Sequence, residues 1–519
     1  MSGFDSPAPL LPEILALHGK WRGDRDAVVC ESERINWRDF VAANHRFANG
    51  LLAHGVTPGN RVGVVMSNST AMVHALFGIM AAGAASVPIN LSVSDEAMLT
   101  MLLDAGVTAL VASEDQLPRL VAMQGKLPES LSLKIVDAPW DTAWMSISDL
   151  VAGQPDSLPG ISIGDDDVLN IIYSSGTTGL PKGIVHTQRG RRDWAYDLCI
   201  ALRYHGAART LLTIGLYSNI SWVAMLCTLL GGGTIVVHRR FDARQFLDTV
   251  AAERITHTAM VPIQFQRVVE ALQSGGGDVS SMQAMMSCGS PLHAELKREL
   301  FTRFPCGIVE LYGLTEGIIT TLDPEDAEGR WASVGKPLVG TDICIVDDAG
   351  AQVGAGVSGE IVSRGRITMP GYWNRPEADS DAAWTDPEGR LWLRSGDIGQ
   401  LDEQGFLYIV DRKKDMILSG GQNIYPQDIE AVLIESPAIN DVAVIGMQSR
   451  RWGETPVALV VPEAGADFEA GELRDWANQR LGKQQRIADL IVVDELPRNP
   501  NGKILKRELR QTYAEQVYD

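Results

Sequence analysis

Residues 62–66 read Val-Gly-Val-Val-Met, a run without one polar side chain. Apolar residues at helical spacing follow over 71–81, and then Ala85-Ser86-Val87-Pro88. A short, wholly apolar run is the signature of a strand buried on both faces, and strand–helix–strand alternation lays such strands side by side in parallel. The pattern recurs at 110–111 and 134–136, and again at 210–214, 234–238 and 258–261. A twisted, mostly parallel sheet system flanked by helices is therefore expected, an α/β core. A hairpin over 27–30 and 35–37 and a helix over 40–52 precede it. The longest apolar stretch, 71–90, contains His74 and two glycines, which suits a buried helix leading to a strand better than a membrane span.

With 519 residues the chain is too long for one core. Around 334–364 the texture changes to short strands with glycine turns, as in a small β-barrel or antiparallel sheet. Beyond Arg412 the pattern is mixed: a helix at 426–435 with Pro426 near its start, strands at 442–445 and 457–461, and a helix at 472–481. The expected organisation is a large N-terminal domain over 1–411, including a β-barrel-like subdomain at about 334–410, and a small α+β C-terminal domain over 412–519.

A net charge of −20 disfavours a nucleic-acid partner and an anionic membrane surface, so a polyanionic ligand needs a locally positive pocket. The six cysteines are scattered without a CxxC pair, which reads as reduced thiols in the cytoplasm. The nine histidines include no HExxH, and the first twenty residues do not make a signal peptide.

The apolar run 168–172 leads into Tyr173-Ser174-Ser175-Gly176-Thr177-Thr178-Gly179-Leu180-Pro181-Lys182-Gly183. Glycines let backbone N–H groups converge on an anion, hydroxyls add donors, and Lys182 adds a mobile charge. The reading is a polyphosphate cradle, with a flexible surface loop as its alternative. It is not the usual P-loop, because Gly183 rather than Ser or Thr follows the lysine. In Tyr312-Gly313-Leu314-Thr315-Glu316-Gly317 the tyrosine suits a base, the threonine a phosphate oxygen and the glutamate a Mg2+ ion, unless the stretch is a simple turn. Asp397, after Ser395-Gly396, suits a ribose diol, though Gly-Asp is also a common turn pair. Lys503 stands at the end of the turn-rich run 497–503.

Taken together and in order, these stretches, with the charge run Asp411-Arg412-Lys413-Lys414-Asp415, resemble the adenylate-forming superfamily of acyl- and aryl-CoA synthetases, adenylation domains and luciferases. The resemblance spans about 24–510. It implies that ATP phosphates lie against Ser174, Ser175, Gly176, Thr177, Thr178 and Lys182. Thr315 is then the α-phosphate contact and Glu316 the Mg2+ ligand. Tyr312 packs on adenine beside Ser287-Cys288-Gly289-Ser290-Pro291, where Gly289 and Ser290 are cofactor contacts. Asp397 and Arg412 hold the ribose, and Lys414 is the hinge. Lys503 is the catalytic lysine reaching the carboxylate and α-phosphate, and Gly420 and Gly421 leave room for the pantetheine arm of coenzyme A.

The implied activity is an ATP- and Mg2+-dependent carboxylate–CoA ligase that forms an acyl-adenylate and then a thioester, with release of AMP and pyrophosphate. Loading of a carrier-protein phosphopantetheine and a luciferase-like oxygenase are the alternatives. The implied partners are a small carboxylic acid and coenzyme A, with no membrane span; a homodimer is allowed for. The chain departs from the family where Gly215-Leu216-Tyr217-Ser218-Asn219 replaces a Pro-x-x-His type stretch. Tyr217, Ser218, Asn219 and His186 are the candidate substrate pocket, with Trp222 nearby. This lining suits an aryl or functionalised acid somewhat better than a long alkyl chain, with a helix–sheet contact as the alternative.

Overall fold

The computed structural model describes residues 8–139, 143–174, 181–419, 422–466, 468–483, 485–498 and 502–518. It divides into two compact units. One comprises 1–331, 337–342 and 364–383, and the other 332–336, 343–363 and 384–519.

The first unit is built on two largely parallel sheets, as the apolar runs predict. In one, Val309–Gly313, Ala284–Ser287, His257–Met260, Arg209–Leu212, Thr234–Val237 and Asp26–Cys30 lie in that order with parallel neighbours. In the other, Met145–Ser146, Leu133–Val136, Ala109–Ala112, Arg61–Val65, Ala85–Pro88 and Val168–Ser174 follow one another in parallel, and Lys182–Thr187 closes the edge antiparallel. Most inner strands are buried throughout, since helices cover both faces. The stretch 71–90 is the helix Thr70–Ala81 and the strand Ala85–Pro88, and among the described residues no helix is long and apolar enough to cross a membrane. Trp37, expected at the end of a strand, instead opens the helix Trp37–Ala53. The Asn36 side chain accepts the Asp39 N–H at 2.8 Å, and this cap starts the helix earlier than its apolar spacing suggests.

In the second unit Gly359–Gly365 pairs antiparallel with Leu391–Leu401, which pairs antiparallel with Leu407–Arg412, within a five-stranded sheet. A six-stranded sheet is centred on the antiparallel ladder of Ile439–Ser449 with Gly453–Pro462. Compactness thus groups most of 334–410 with the C-terminal segment, whereas the sequence boundary at 411/412 separates them. Two contacts of the charge run lie within that grouping. Asp411 is 1% exposed and accepts the Gln427 N–H at the start of the helix Pro426–Leu433, while the Lys413 ammonium reaches Glu360 at 3.0 Å. The run binds within this unit instead of hanging as a solvated turn.

Candidate active site

The strands Val168–Ser174 and Lys182–Thr187 form an antiparallel hairpin whose last register pair is Ser174 with Lys182. The predicted cradle is therefore the connection between two paired strands, and Lys182 begins the return strand. Ser175, Gly176, Thr177 and Thr178 lie outside the described residues. Gly183 is required here: a Cβ would stand 2.8 Å from Ile171 Cγ2 and 3.1 Å from Tyr173 Cζ.

A segment that sequence reasoning missed holds this hairpin. The Val185 N–H donates to the Gly371 carbonyl at 3.2 Å and the Trp373 N–H to the Gly183 carbonyl at 2.7 Å, so residues 371–373 lie along the strand carrying Lys182. Asp104 anchors both sides. It accepts from the Tyr173 hydroxyl at 2.7 Å and pairs with Arg375, and its carbonyl accepts from Trp373 Nε1 at 3.1 Å. Lys182 Nζ stands 4.9 Å from the Tyr372 ring centroid, and the Tyr372 hydroxyl donates to Glu316 Oε1 at 3.0 Å. Burial and the Glu316 carboxylate raise the Tyr372 phenol well above its ordinary range, so it remains a donor. The available signal was an aromatic pair, Tyr372-Trp373, set among turn formers.

Glu316 is fixed by a tight turn. Tyr312 and Gly313 end the strand Val309–Gly313, the Leu314 N–H donates to Ile318 O at 3.0 Å, and the Gly317 N–H donates to Leu314 O at 3.1 Å. Gly317 has φ +118°, and a Cβ there would lie 2.5 Å from Ile367 O and 2.6 Å from Thr368 Cα. Only glycine admits that approach, which lets the Met369 N–H reach the Glu316 carbonyl at 2.8 Å. Thr315 and Tyr312 are both partly exposed.

The loop at 287–291, with Gly289 at φ +94°, is tied to the Tyr312 strand through Glu310. Glu310 accepts the Leu292 N–H at 3.2 Å and pairs with Lys297, which donates to the Trp331 carbonyl at 2.6 Å. Lys297 and Glu310 are 1% and 6% exposed, and burial raises the Glu310 carboxyl against the pull of Lys297. This buried pair was invisible in the sequence because its members are thirteen residues apart on different elements. Ser290 is partly exposed on the same loop, and burial pushes the Cys288 thiol up to about 12.

The pocket candidates differ in what they do. The Tyr217 ring folds back over Gly215, where a Cβ would be 2.1 Å from Tyr217 Cε1, so the glycine in place of proline makes room for the ring. Ser218 caps the helix Asn219–Gly231, accepting the Ile220 N–H at 3.3 Å. Asn219 Oδ1 is buried without a hydrogen-bond partner. His186 is 8% exposed in the return strand, and burial and Arg191 hold its imidazole neutral, well below the usual value.

In the second unit Asp397 and Arg412 are register partners, 3% exposed and partly exposed, with Arg412 Nε 3.3 Å from Asp397 Oδ1. Ser395 shapes the turn: its hydroxyl donates to Ile361 O at 2.7 Å and accepts the Asp397 N–H at 2.9 Å. Lys503 is half-buried in the same electrostatic neighbourhood. Burial, then Arg412 and Lys414, lower its ammonium to about 7, against opposing pulls from Asp397 and Asp415. The structure thus brings Asp397, Arg412, Lys414 and Lys503, four of the sequence-predicted site residues, into one neighbourhood. Gly420 and Gly421 lie outside the described residues.

Comparison with known proteins bears on the family and the fold. The family model described as "AMP-binding enzyme" matches residues 17–373, and that described as "AMP-binding enzyme C-terminal domain" matches residues 428–503. A feruloyl-CoA synthase of Amycolatopsis sp is 34% identical over 90% of this chain and 92% of that protein. The long-chain-fatty-acid–CoA ligase FadD13 of Mycobacterium tuberculosis is 31% identical over 93% of this chain and 94% of its own length. The crystal structure of ATP-bound MatB from Rhodopseudomonas palustris superposes with a TM-score of 0.87 at 27% identity, covering 97% of this chain and 99% of that one. The chain belongs to the adenylate-forming, AMP-binding enzyme family and is an acid–thiol ligase.

Proposed function

We propose that the protein joins an aryl carboxylic acid to coenzyme A through an aryl-adenylate, with ATP as the energy source. The observation that carries the adenylation reading is the Lys182–Tyr372–Glu316 arrangement: one tyrosine seats a cation under its ring and directs a carboxylate through its hydroxyl. A carboxylate approaching the α-phosphate brings two anions together, so the transition state demands fixed positive charge and donors instead of a general base. The acid oxygen forms a bond to the α-phosphorus, the α–β bridging bond breaks, and pyrophosphate leaves with that electron pair. In the second step the thiol sulfur attacks the acyl carbon, AMP departs as the mixed anhydride opens, and the thiol proton is lost to solvent.

Each residue has a part in this reading. Lys182 and Ser174 bind the phosphates, Thr315 holds the α-phosphate, Tyr312 lies against adenine beside Gly289 and Ser290, and Asp397 with Arg412 takes the ribose hydroxyls. Lys503 supplies charge to the first half-reaction, and Lys414 acts as the hinge between the two. The Glu316 carboxylate is a hard oxygen donor that fits Mg2+ held mainly through substrate phosphates. Bound there, the ion would neutralise phosphate charge.

The acid class rests on the stretch 215–219. The folded-back Tyr217 ring offers an aromatic wall, and Asn219 Oδ1 offers a buried acceptor that awaits a donor. An aryl acid with a ring hydroxyl satisfies both, whereas an alkyl chain leaves the acceptor bare. The relative named feruloyl-CoA synthase supports an aryl substrate. The test is CoA-thioester formation with AMP release across aryl, hydroxyaryl and short to long alkyl acids. Failure of every acid would sink the ligase reading, and preference for long alkyl acids would sink the aryl one.

A further inference from the structure

Away from the phosphate-binding turn, adjacent strands carry a row of buried polar side chains. Ser86 is the register partner of Asn170, and Asn170 of His186, so the three stand on one face of the sheet. They are 1%, 0% and 8% exposed. The helix Gln188–Ala201 brings Arg191 to this row, where its Nε donates to Asn170 Oδ1 at 3.2 Å. Arg191 is itself 1% exposed. Its guanidinium lies 4.6 Å from the Trp194 ring centroid and 5.4 Å from that of Trp222.

The buried atoms without a hydrogen-bond partner in this cluster are mostly donors, although Gln188, three residues before Arg191 on the same helix, leaves its Oε1 unpartnered as well as its Nε2. Arg191 Nη2, Asn170 Nδ2, Trp222 Nε1, Ser86 Oγ and His186 Nε2 are all buried without a hydrogen-bond partner. The first three are donors only, the hydroxyl donates as readily as it accepts, and the imidazole nitrogen donates in one tautomer. No ion pair to Arg191 occurs among the described residues, whereas its neighbour Arg192 has Asp165 and Asp193. Burial lowers the Arg191 guanidinium to about 9, which leaves it charged at neutral pH. Two tryptophan faces offset only a small part of the desolvation of a buried cation. Water would bring donors of its own into a cluster that already has too many. An anion brings only acceptors, together with the missing charge.

We propose that Arg191, Asn170, Ser86, His186 and Trp222 form a buried binding site for a small inorganic monoanion of the halide class. The site is separate from the Lys182–Tyr372–Glu316 arrangement, and it takes His186 and Trp222 away from the acid pocket in which, or near which, the sequence reading put them. Its occupation is therefore a property of the resting protein and needs neither ATP nor acid.

The experiment is thermal unfolding of the whole protein, titrated with bromide against gluconate at constant ionic strength. The wild type is expected to show a saturable rise in Tm with bromide, and Arg191→Met a flat response. In gluconate alone Arg191→Met should be at least as stable as the wild type, because it removes a buried charge that then lacks a counter-ion. A bromide-independent Tm in the wild type, or the same rise in both proteins, overturns the proposal. Should Arg191→Met not fold, Trp222→Phe removes one donor and keeps the cation. Its half-saturating bromide concentration should rise by about fivefold, and an unmoved midpoint overturns the assignment. In bromide-soaked crystals an anomalous peak within hydrogen-bond reach of Arg191 Nη2 supports the site, and ordered water alone overturns it.

Discussion

The Tyr372 hydroxyl donates a 3.0 Å hydrogen bond to Glu316 Oε1, across a sequence separation of 56 residues. This bond orients the one carboxylate assigned to the metal, and the same ring seats Lys182. Tyr372→Phe keeps the ring and deletes the donor. We expect kcat/KM for ATP to fall about tenfold, as for a lost hydrogen bond to a charged group, with more Mg2+ needed for half-maximal rate. Acid-dependent pyrophosphate exchange at varied Mg2+ measures both, and an unchanged Mg2+ requirement contradicts the role.

Gly317→Ala should damage the same carboxylate from the backbone side. A methyl group has no room beside Ile367 O, and φ +118° is hostile to any L side chain. The loop at 367–369 must retreat and the Met369–Glu316 bond is lost. A stability loss of about 1–3 kcal/mol is expected in urea unfolding, with activity falling further than stability explains.

Asp397→Asn tests the ribose assignment. The amide keeps the shape and loses the charge that faces Arg412. The expected loss in kcat/KM for ATP is about tenfold or more. With 2′- or 3′-deoxy-ATP the wild type should lose a comparable factor and the variant little further. Independent, multiplicative losses would remove Asp397 from the ribose site.

Lys503 gives a pH signature. Its folded-state value of about 7 lies below the ordinary 10.5, so the ammonium opposes folding in full below pH 7 and the opposition fades between 7 and 10.5. Lys503→Met should therefore be more stable than the wild type at pH 6 and indistinguishable from it near pH 10.5. Lys503→Ala should lose acid-dependent pyrophosphate exchange yet still convert supplied acyl-AMP to thioester. Equal loss of both half-reactions contradicts its assignment to the first.

Lys297→Met leaves Glu310 buried without its partner. The expected cost is about 3–5 kcal/mol, and the double variant with Glu310→Gln should recover much of it. A Lys297→Met protein of wild-type stability would show that the pair does not hold the loop at 287–291.

The sequence alone determined the α/β architecture, because strands buried on both faces must be apolar throughout and helices must carry an apolar stripe. Runs such as 62–66 and 85–88 therefore declare themselves wherever they occur. It also marked the local chemistry of the site. Loops built from glycine, hydroxyl and lysine residues, and Asp397 after Gly396, are legible because their chemistry sits in a few consecutive residues. Tertiary structure decided what joins those pieces. Tyr372 reaches Glu316, Asp104 ties Tyr173 to Arg375, and Lys297 neutralises Glu310, each through contacts between residues distant in the chain. Such pairs leave no periodicity and no motif, since either partner alone resembles an ordinary polar residue. The same holds for Arg191: in the sequence it is one of two adjacent arginines at the start of a helix, and only packing reveals that one meets carboxylates and the other two tryptophans.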